Sequence, residues 1–354
     1  TVMVITCPHA LGLAIPLVVA VSTTLSAKNG LLIRNRTAFE NSRKIDTVIF
    51  DKTGTLTEGE FGVQAVKSFV DDNNENDILR KAAALEQESE HPIATGIVKE
   101  AKKRELVIEK VTDFEIIKGK GVKAKLEGEN LFAGSPGYLN EKEIEIPESA
   151  RKEGAFTEVF LVEEGRLIGM LRLADKIRKS SYEAVENLKA QGIKVKMLTG
   201  DNQKTARYVS EELGLTDYFA EVLPDEKQDY IEKFQKENAF VAMTGDGVND
   251  APALARADIG IAIGSGTDVA AETADIILVE SDPQDVVQLI KFGRLTFKKM
   301  MQNLFWATGY NAFAIPLAAG VLAGYGIMIS PALGAVFMSL STVIVAINAR
   351  LLKF

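Results

Sequence analysis

Apolar stretches without a single charge cover both ends of the chain, and charged residues are concentrated between them. No Asp, Glu, Lys or Arg occurs in residues 1–27, and none occurs in residues 300–349. A helix of about 20 residues spans the roughly 30 Å hydrocarbon core of a membrane, and helices of soluble cores are seldom apolar all round for so long. The pattern predicts transmembrane helices near residues 1–27, 303–322 and 329–351.

Basic residues flank the three predicted helices on one side. Lys28 follows the first helix, Lys298 and Lys299 precede the second, and Arg350 follows the third. Because segments rich in Lys and Arg stay in the cytoplasm, we expect residues 28–299 to be cytoplasmic. The last two helices then form a hairpin that returns to the cytoplasm.

Short apolar runs alternate with helical patterns in the middle of the chain. Three of the runs lead into a polar segment that begins at Asp51, Thr199 or Thr244, and the last of these segments contains Asp246. The predicted strands are 46–50, 195–198, 240–243, 259–263 and 276–279, and the predicted helices are 180–191, 204–213, 227–237 and 249–256. This alternation predicts an α/β fold with a doubly wound parallel sheet, in which ligands bind outside the carboxyl ends of the strands.

A long insertion separates the first of these strands from the others. It contains strand-like runs at 132–133, 158–162 and 167–171 and a helical pattern around 78–85. These elements indicate a second, α+β domain inserted into the first. The predicted organisation is a transmembrane helix at 1–27, a stalk at 28–45, a sheet domain in two parts at 46–59 and 172–292, the inserted domain at 60–171, and two transmembrane helices within 293–354.

Charge and cysteine content exclude several classes of protein. The formal net charge is −8, and the sequence lacks the basic stripe of a nucleic-acid-binding protein, so we expect no nucleic-acid partner. The single cysteine rules out a disulfide within the chain. The first apolar segment has neither a charged leading region nor a small-residue cleavage site, so it is not a signal peptide. Since the chain begins with Thr1, we expect a piece of a longer protein.

The carboxylates at the predicted strand ends suit phosphoryl transfer. Asp51 opens the run Asp-Lys-Thr-Gly-Thr, and a carboxylate can attack phosphorus to form an aspartyl phosphate. Asp246 and Asp250 form a second acidic cluster, whose hard oxygens suit the Mg²⁺ that this chemistry needs. Side chains that can donate to the phosphoryl group or offset its charge are Thr199, Lys227 and Asn249. The pentapeptide alone also fits an ordinary strand and turn.

Three motifs together resemble the signature of P-type ATPases, which are built on the haloacid-dehalogenase fold. They are DKTGTLTEG from Asp51, TGDN from Thr199 and TGDGVNDAPALA from Thr244, and the resemblance extends over essentially the whole chain. It implies that ATP phosphorylates Asp51. The other residues to which it assigns catalysis are Lys52, Thr53, Thr199, Gly200, Asp201, Lys227, Asn249 and Asp250.

The same resemblance implies how Mg²⁺ is bound and why a phosphorylated state persists. The ligands would be the Asp51 carboxylate, the Thr53 carbonyl and Asp246. Related phosphatases carry a general-acid aspartate two residues after the nucleophile, whereas this chain has Thr53. We therefore expect slow hydrolysis of the aspartyl phosphate, which suits a pump.

A His-Pro pair marks the inserted domain as a candidate nucleotide site. Taken alone, His91-Pro92 is typical of a helix start. Heavy-metal P-type ATPases have such a pair in their nucleotide-binding domain, so the resemblance implies that the His91 imidazole lies against the adenine of ATP. The adenine site that it implies comprises Glu86, His91, Gly119, Gly121 and Gly134. Because the chain has no GxxxxGK[ST] loop, we expect Mg²⁺, Lys227, Thr199 and Asp201 to bind the phosphates.

Cys7-Pro8-His9 places two metal-binding side chains in the first apolar segment. Residues i and i+2 of a regular helix point about 200° apart, but Pro8 removes a backbone donor and should unwind the helix there. The run resembles the CPx motif of heavy-metal P-type ATPases in its CPH form. Two further pairs match that subgroup's membrane signatures, which gives the implied set Cys7, His9, Tyr310, Asn311, Met338 and Ser339.

The chemistry of this set favours copper or silver as the transported ion. Thiolate and thioether sulfur suit Cu(I) or Ag(I), whereas imidazole also suits Cu(II), so the sequence leaves the oxidation state open. By the resemblance we expect an integral protein of the plasma membrane that transports copper or silver at the expense of ATP.

One part of such a pump is not found in the chain. P-type ATPases dephosphorylate with an actuator domain that carries Thr-Gly-Glu, and this tripeptide does not occur in the sequence. We therefore expect the actuator domain and the earlier helices to lie in other parts of a longer protein, and this chain to bind ATP without transporting alone. The alternatives are a membrane-anchored phosphatase of the same fold and a metal-binding scaffold with an inactive ATPase domain.

Overall fold

The computed structural model describes residues 9–70, 74–89, 91–117, 120–147, 150, 156–246, 250–264, 272–325 and 329–354. The strands are β1 Leu31–Ile33, β2 Thr47–Asp51, β3 Thr57–Ser68, β4 Thr112–Ile117, β5 Gly121–Leu126, β6 Glu129–Gly134, β7 Thr157–Glu163, β8 Arg166–Ile177, β9 Lys194–Leu198, β10 Asp217–Phe219, β11 Val241–Gly245, β12 Ile259–Ile263 and β13 Ile276–Leu278. The helices are α1 His9–Lys28, α2 Arg36–Asn41, α3 Glu75–Glu86, α4 Pro92–Lys103, α5 Pro136–Glu141, α6 Lys179–Ala190, α7 Gln203–Leu213, α8 Lys227–Lys236, α9 Ala251–Arg256, α10 Gln284–Ala318 and α11 Pro331–Arg350.

These elements form two compact units. Within the described residues, the first unit contains the chain up to Asp51, Glu183–Lys196 and everything from Pro224 onward. The second unit contains Lys52–Tyr182 and Met197–Leu223. The domain boundaries predicted at 59/60 and 171/172 lie inside β3 and β8, and the predicted division into domains stays a prediction.

A parallel sheet is the centre of the first unit. β1, β13, β12, β11 and β2 lie side by side in this order, and β9 begins beside β2, where the Lys194 N–H donates to the Asp46 carbonyl (2.8 Å). All neighbouring pairs from β13 to β2 are parallel, and only β1 runs antiparallel to its neighbour. Every residue of β2, β11 and β12 is buried, as in sheets covered on both faces. The predicted α/β fold is confirmed.

Three helices of the first unit, α1, α10 and α11, pack against one another. Ala10, Ala14 and Ala307 are buried where the helices meet Val345, and small side chains allow helix backbones to approach closely. By length and composition, α1 and α11 can cross a membrane, and the described residues give two such helices where the sequence predicted three.

The second apolar segment belongs to a longer helix than predicted. α10 runs from Gln284 to Ala318, so the predicted bounds of 303–322 are wrong at both ends. Lys298 and Lys299, which were expected to precede the helix, lie inside it. Lysine is a good helix former, so a change from charged to apolar residues alters which surroundings a helix suits without ending it.

The second unit is built on an antiparallel sheet. Its strand order is β3, β8, β7, β6, β5 and β4. Helices α3 and α4 pack against β3 and bury Ile78, Leu85 and Ile97 in a core shared with Val159 and Leu171. The strand-like runs and the helix predicted in the insertion lie within β6, β7, β8 and α3, which confirms them.

Candidate active site

Three predicted catalytic residues of the first unit meet at the carboxyl ends of neighbouring strands. Asp51 is the last residue of β2, Asp250 caps the start of α9 after β11, and Lys227 is the first residue of α8. The Lys227 ammonium donates to Asp51 Oδ1 and to Asp250 Oδ1, each at 2.5 Å. All three side chains are buried, so the lysine is a bridge between two carboxylates shielded from water.

Burial controls the ionisation of this cluster. It raises the pKa of Asp51 to about 7, and the nearby charges of Asp250 and Asp246 raise it too, against the lowering effect of Lys227. Burial also raises the pKa of Asp250. Burial disfavours the Lys227 ammonium, but the two carboxylates outweigh it and raise the Lys227 pKa above its usual value. Lys227 therefore stays charged and favours the ionised form of both aspartates.

The acidic side chains fit Mg²⁺ as a partly hydrated ion. Asp246 follows β11 directly and is close enough to Asp51 and Asp250 to raise the pKa of each. The described residues contain no group of three His, Cys, Asp or Glu side chains that could hold a metal by themselves. Mg²⁺ usually binds one or two carboxylates and completes its shell with water and phosphate oxygens, so the carboxylates of Asp51 and Asp246 fit it.

Gly245 leaves room for the Asp250 carboxylate. A Cβ added at Gly245 would lie 2.2 Å from Asp250 Oδ2, closer than real Cβ atoms approach other atoms. The second glycine of the Thr-Gly-Asp-Gly run, Gly247, and Asn249 lie outside the described residues. The requirement at Gly245 is therefore steric. This last residue of β11 must lack a side chain, because the Asp250 carboxylate lies against it.

A second charged cluster surrounds Lys52 in the other unit. The buried Lys52 ammonium pairs with Asp201 and lies 3.4 Å from Asp175 Oδ2. Asp175 also accepts a hydrogen bond from the Thr57 hydroxyl (2.6 Å) and one from the Gly59 N–H (3.0 Å). Asp175 thus connects Lys52 to the first residues of β3. Burial raises the pKa of Asp175, which its hydrogen bonds and Lys52 counteract.

Arg178 holds the backbone of the turn that follows Asp51. Its guanidinium donates to the carbonyls of Gly54 (3.1 Å), Thr55 (3.2 Å) and Thr57 (3.0 Å). Gly54 has a φ of +73°, which favours glycine. The sequence reasoning missed both Asp175 and Arg178, although an acid and a base directly after the apolar run of β8 were a visible signal.

Thr199, Gly200 and Asp201 lie between β9 and α7. The Thr199 side chain is buried, and its hydroxyl accepts a hydrogen bond from the Asp201 N–H (3.1 Å). The Thr199 N–H in turn donates to the Phe219 carbonyl of β10 (3.0 Å). These bonds fix the turn after the strand, while the phosphate-binding roles predicted for the three residues, and the Mg²⁺ role of the Thr53 carbonyl, stay predictions.

The candidate adenine residues lie on elements that pack together. Glu86 ends α3, which packs on β5 and β6, where Gly121 and Gly134 are paired opposite each other. A Cβ at Gly121 would lie 2.1 Å from the Ala133 carbonyl oxygen, and one at Gly134 would lie 2.3 Å from the Lys120 carbonyl oxygen. Both glycines are therefore needed for the approach of the strands. Gly119 lies outside the described residues.

His91 is the N-cap of α4. Its Nδ1 accepts a hydrogen bond from the Ile93 N–H (3.2 Å), so Nε2 is the ring nitrogen that this bond does not use. The helix-start interpretation of His-Pro is confirmed, and it leaves the exposed ring edge available to a ligand. Close by, a cavity of about 360 Å³ is lined by Glu86, Gln87, Ser89, Thr95, Val98, Lys99 and Lys102. Burial raises the pKa of Glu86 to about 7.

The candidate ligands for a transported ion are only partly described. Cys7 lies outside the described residues, and His9 is the first residue of α1 with an exposed side chain. Tyr310 and Asn311 lie in α10, and within the described part of the chain the buried Oδ1 of Asn311 has no hydrogen-bond partner. In α11, Met338 is half-buried and Ser339 is exposed.

The fold and the carboxylate cluster define the class of the protein. A parallel sheet with an aspartate at the end of a central strand, paired with a lysine that also contacts a second aspartate, suits phosphoryl transfer. Residues 45–258 match the haloacid dehalogenase-like hydrolases, so the chain belongs to that family.

Similarity to a solved catalytic domain narrows the family assignment of the chain. The chain covers 97% of the catalytic domain of a CPx-ATPase, CopB-B, whose structure concerns conformational changes upon nucleotide binding. The two are 34% identical with a TM-score of 0.60, over 75% of this chain. The chain is therefore a CPx-type P-type ATPase sequence, and the resemblance stated from its motifs is confirmed.

Longer relatives match the chain from end to end. It is 59% identical over 355 residues to a copper-exporting P-type ATPase B of Archaeoglobus fulgidus, covering 100% of this chain and 51% of the relative. A crystal structure of a zinc-transporting PIB-type ATPase in its E2.Pi state matches with a TM-score of 0.85 at 35% identity, over 99% of this chain and 57% of that one. The chain thus spans about half the length of these relatives.

Proposed function

We propose that this chain forms the phosphorylation and nucleotide-binding parts, and part of the membrane path, of an ATP-driven copper pump. The observation that carries this proposal is the buried bridge of Lys227 between Asp51 and Asp250 at the end of β2. The resemblance to copper-exporting ATPases supports copper as the cargo. Silver is an alternative cargo with the same soft-ligand chemistry.

Asp51 accepts the γ-phosphoryl group of ATP in this proposal. A carboxylate oxygen of Asp51 forms a bond to the γ-phosphorus while the bond from phosphorus to the β–γ bridging oxygen breaks, and ADP leaves with that electron pair. Lys227 orients the nucleophile, because it holds Asp51 Oδ1 at 2.5 Å and favours the ionised carboxylate. Mg²⁺, when bound by Asp51, Asp246 and the Thr53 carbonyl, neutralises phosphate charge.

The remaining motif residues position the substrate. The Thr199 hydroxyl and the Asn249 amide donate hydrogen bonds to the phosphoryl group, and Gly200 and Asp201 form the turn that holds Thr199. Lys52, which pairs with Asp201, supplies positive charge for the phosphates. The cavity beside Glu86 and the exposed edge of His91 receive adenine, with Gly119, Gly121 and Gly134 as the close backbone. The related catalytic domain of CopB-B changes conformation upon nucleotide binding, which supports this assignment for the second unit.

In this proposal the transported metal binds to residues of the α1, α10 and α11 segments. His9 is the first residue of α1, Cys7 precedes it by two positions in the sequence, and Asn311 has a buried carbonyl oxygen without a partner among the described residues. With Met338, these residues offer sulfur, nitrogen and oxygen donors to a soft cation, and Tyr310 and Ser339 complete the set. In this proposal the same helices cross the plasma membrane, and residues 28–299 are cytoplasmic.

The test is metal-dependent formation of an aspartyl phosphate. The complete polypeptide is incubated with radiolabelled ATP and Mg²⁺, with and without Cu(I), Cu(II), Ag(I) and Zn(II). We expect copper or silver to raise an acid-stable, hydroxylamine-sensitive label, and Asp51→Asn and Cys7→Ala to abolish it. Asp46→Asn, directly before the first residue of the same strand, is the matched control and should keep the label.

Three results would count against this function. A label that forms equally without metal and survives Cys7→Ala would remove Cys7 from the metal path. Turnover of small phosphate esters without ATP would favour the phosphatase alternative. Metal binding without any label would favour the scaffold alternative.

A further inference from the structure

A polar pocket opens between α10 and α11, and none of its lining residues belongs to the proposed transport path. It measures about 610 Å³. Its lining residues are Lys298, Lys299, Met301, Gln302, Phe305, Trp306 and Asn348. One side of the pocket is therefore cationic and the other is aromatic.

The charged residues in the part of the sequence that forms this pocket are all basic. No acidic residue follows Asp285 in the sequence, whereas six basic residues do: Lys291, Arg294, Lys298, Lys299, Arg350 and Lys353. Among the described residues, neither Lys298 nor Lys299 forms an ion pair with a carboxylate. A ligand that complements this pocket is an anion.

A hydrogen-bonded chain fixes one of the two ammonium groups. Lys299 donates to Asn348 Oδ1 (2.9 Å), Asn348 donates to Asn303 Oδ1 (2.7 Å), and Asn303 donates to the Ala14 carbonyl (3.0 Å). Asn303 is fully buried. Because an ammonium has three donors, Lys299 keeps two for a ligand after this bond. These bonds therefore connect one ammonium group of the pocket to all three helices.

An apolar groove continues from the pocket along the same two helices. It measures about 320 Å³ and shares Phe305 and Trp306 with the pocket. Its other lining residues are Gly309, Phe313, Phe337, Leu340, Ser341 and Ile344. A Cβ at Gly309 would meet no atom within 4 Å, so this glycine leaves the groove open.

We propose that the pocket and groove bind one anionic glycerophospholipid. Its headgroup phosphate accepts hydrogen bonds from Lys298, Lys299 and Gln302, and an acyl chain lies along the groove. The order of the lining residues supports this proposal. From the pocket to the groove, cationic side chains are followed by Phe305 and Trp306 and then by an apolar surface. A phospholipid has the matching order, with an anionic headgroup, an interfacial layer and acyl chains. The inference rests on the proposed membrane location but not on copper or ATP.

Trp306 makes the site directly observable, because it is the only tryptophan of the 354 residues. The chain is reconstituted in phosphatidylcholine vesicles that contain increasing fractions of either dibrominated phosphatidylglycerol or dibrominated phosphatidylcholine, without ATP or copper. Bromine quenches tryptophan at contact. We expect quenching at lower mole fractions of the brominated phosphatidylglycerol than of the brominated phosphatidylcholine.

Variants separate the site from general attraction to the membrane. Lys298→Gln/Lys299→Gln should lower the preference for the anionic lipid about tenfold or more, since one hydrogen bond between charged groups is worth about tenfold in affinity. Lys298→Arg/Lys299→Arg should keep it. Lys291→Gln/Lys353→Gln removes the same charge from exposed positions outside the pocket and should change it little. Gly309→Leu fills the groove with the charges intact and should weaken quenching by both lipids.

Different outcomes would overturn the lipid site and the proposed function. Equal quenching by both lipids, or equal losses in the two Gln pairs, would overturn the site. Competition by glycerophosphate or inorganic phosphate as strong as by the lipid would assign the pocket to free phosphate, which also overturns it. Absence of quenching by either lipid would contradict the membrane location as well. A lipid preference without copper-dependent phosphorylation would contradict the proposed function alone.

Discussion

Lys227 Nζ lies 2.5 Å from Asp51 Oδ1, and the lysine and the aspartate are 176 positions apart in the chain. Both side chains are buried at the end of a parallel sheet, and Asp250 is the second partner of the lysine. Two buried carboxylates repel each other, so the cluster depends on the cation between them. The site therefore links the stability of the first unit to the residues proposed to carry its chemistry.

Lys227→Met should destabilise the chain and abolish phosphorylation. Removing one partner of a buried ion pair leaves uncompensated charge and typically costs about 3–5 kcal/mol. We expect a clear fall in the thermal unfolding midpoint and no hydroxylamine-sensitive label. Lys233→Met removes an exposed lysine from the same helix and is the control. Equal unfolding midpoints in the two variants would show that the bridge contributes nothing to stability.

Gly245→Ala should displace Asp250. The new Cβ would lie 2.2 Å from Asp250 Oδ2, and overpacking of this kind costs about 1–3 kcal/mol. We expect phosphorylation to fall with little change in nucleotide affinity, measured by label formation and by ATP titration. Gly137→Ala adds the same methyl group in α5, where its nearest contact is an ordinary 3.8 Å. A fully active Gly245→Ala would mean that Asp250 does not act from its present position.

Asp175→Asn should slow phosphorylation without weakening ATP binding. Asp175 touches Lys52 and Thr57 rather than the proposed nucleophile, so it acts as a positioning residue. Misplacement of a catalytic group by a fraction of an ångström costs about tenfold to a hundredfold in rate. The readout is the split between the rate constant for labelling and the KM for ATP. Glu58→Gln, which breaks an exposed pair with Lys176, is the control. A change in KM alone would reject the positioning role.

The sequence predicted best where one strong physical pattern acts alone. Mainly apolar runs located β2, β11 and β12 within two residues, because burial on both faces leaves few alternatives. The start of α10 was wrong, since a change from charged to apolar residues at Met300 does not end a helix. Asp175 and Arg178 were missed because their role depends on contacts with residues more than 100 positions away.

Glu86 gives a pH-dependent property that the motifs do not reveal. It ends α3 in a buried position, and burial raises its pKa from the usual 4.5 to about 7. Between these two values the folded chain binds a proton at Glu86 that the unfolded chain has lost. Stability from this group is therefore complete below pH 4.5 and is lost as the pH rises through about 7, by up to about 3 kcal/mol.

Glu86→Gln should remove this pH dependence, because the amide stays neutral at every pH. We expect the unfolding midpoint of the parent chain to fall relative to that of Glu86→Gln as the pH rises from 4.5 to about 7, and to change little further above that value. Thermal unfolding of both proteins across this range is the measurement. Glu88→Gln, two residues on and exposed, should follow the parent chain. If the unfolding midpoints of the parent and Glu86→Gln change in parallel with pH, the Glu86 carboxyl group ionises in the folded chain without loss of stability. The buried position of Glu86 would then have to be hydrated.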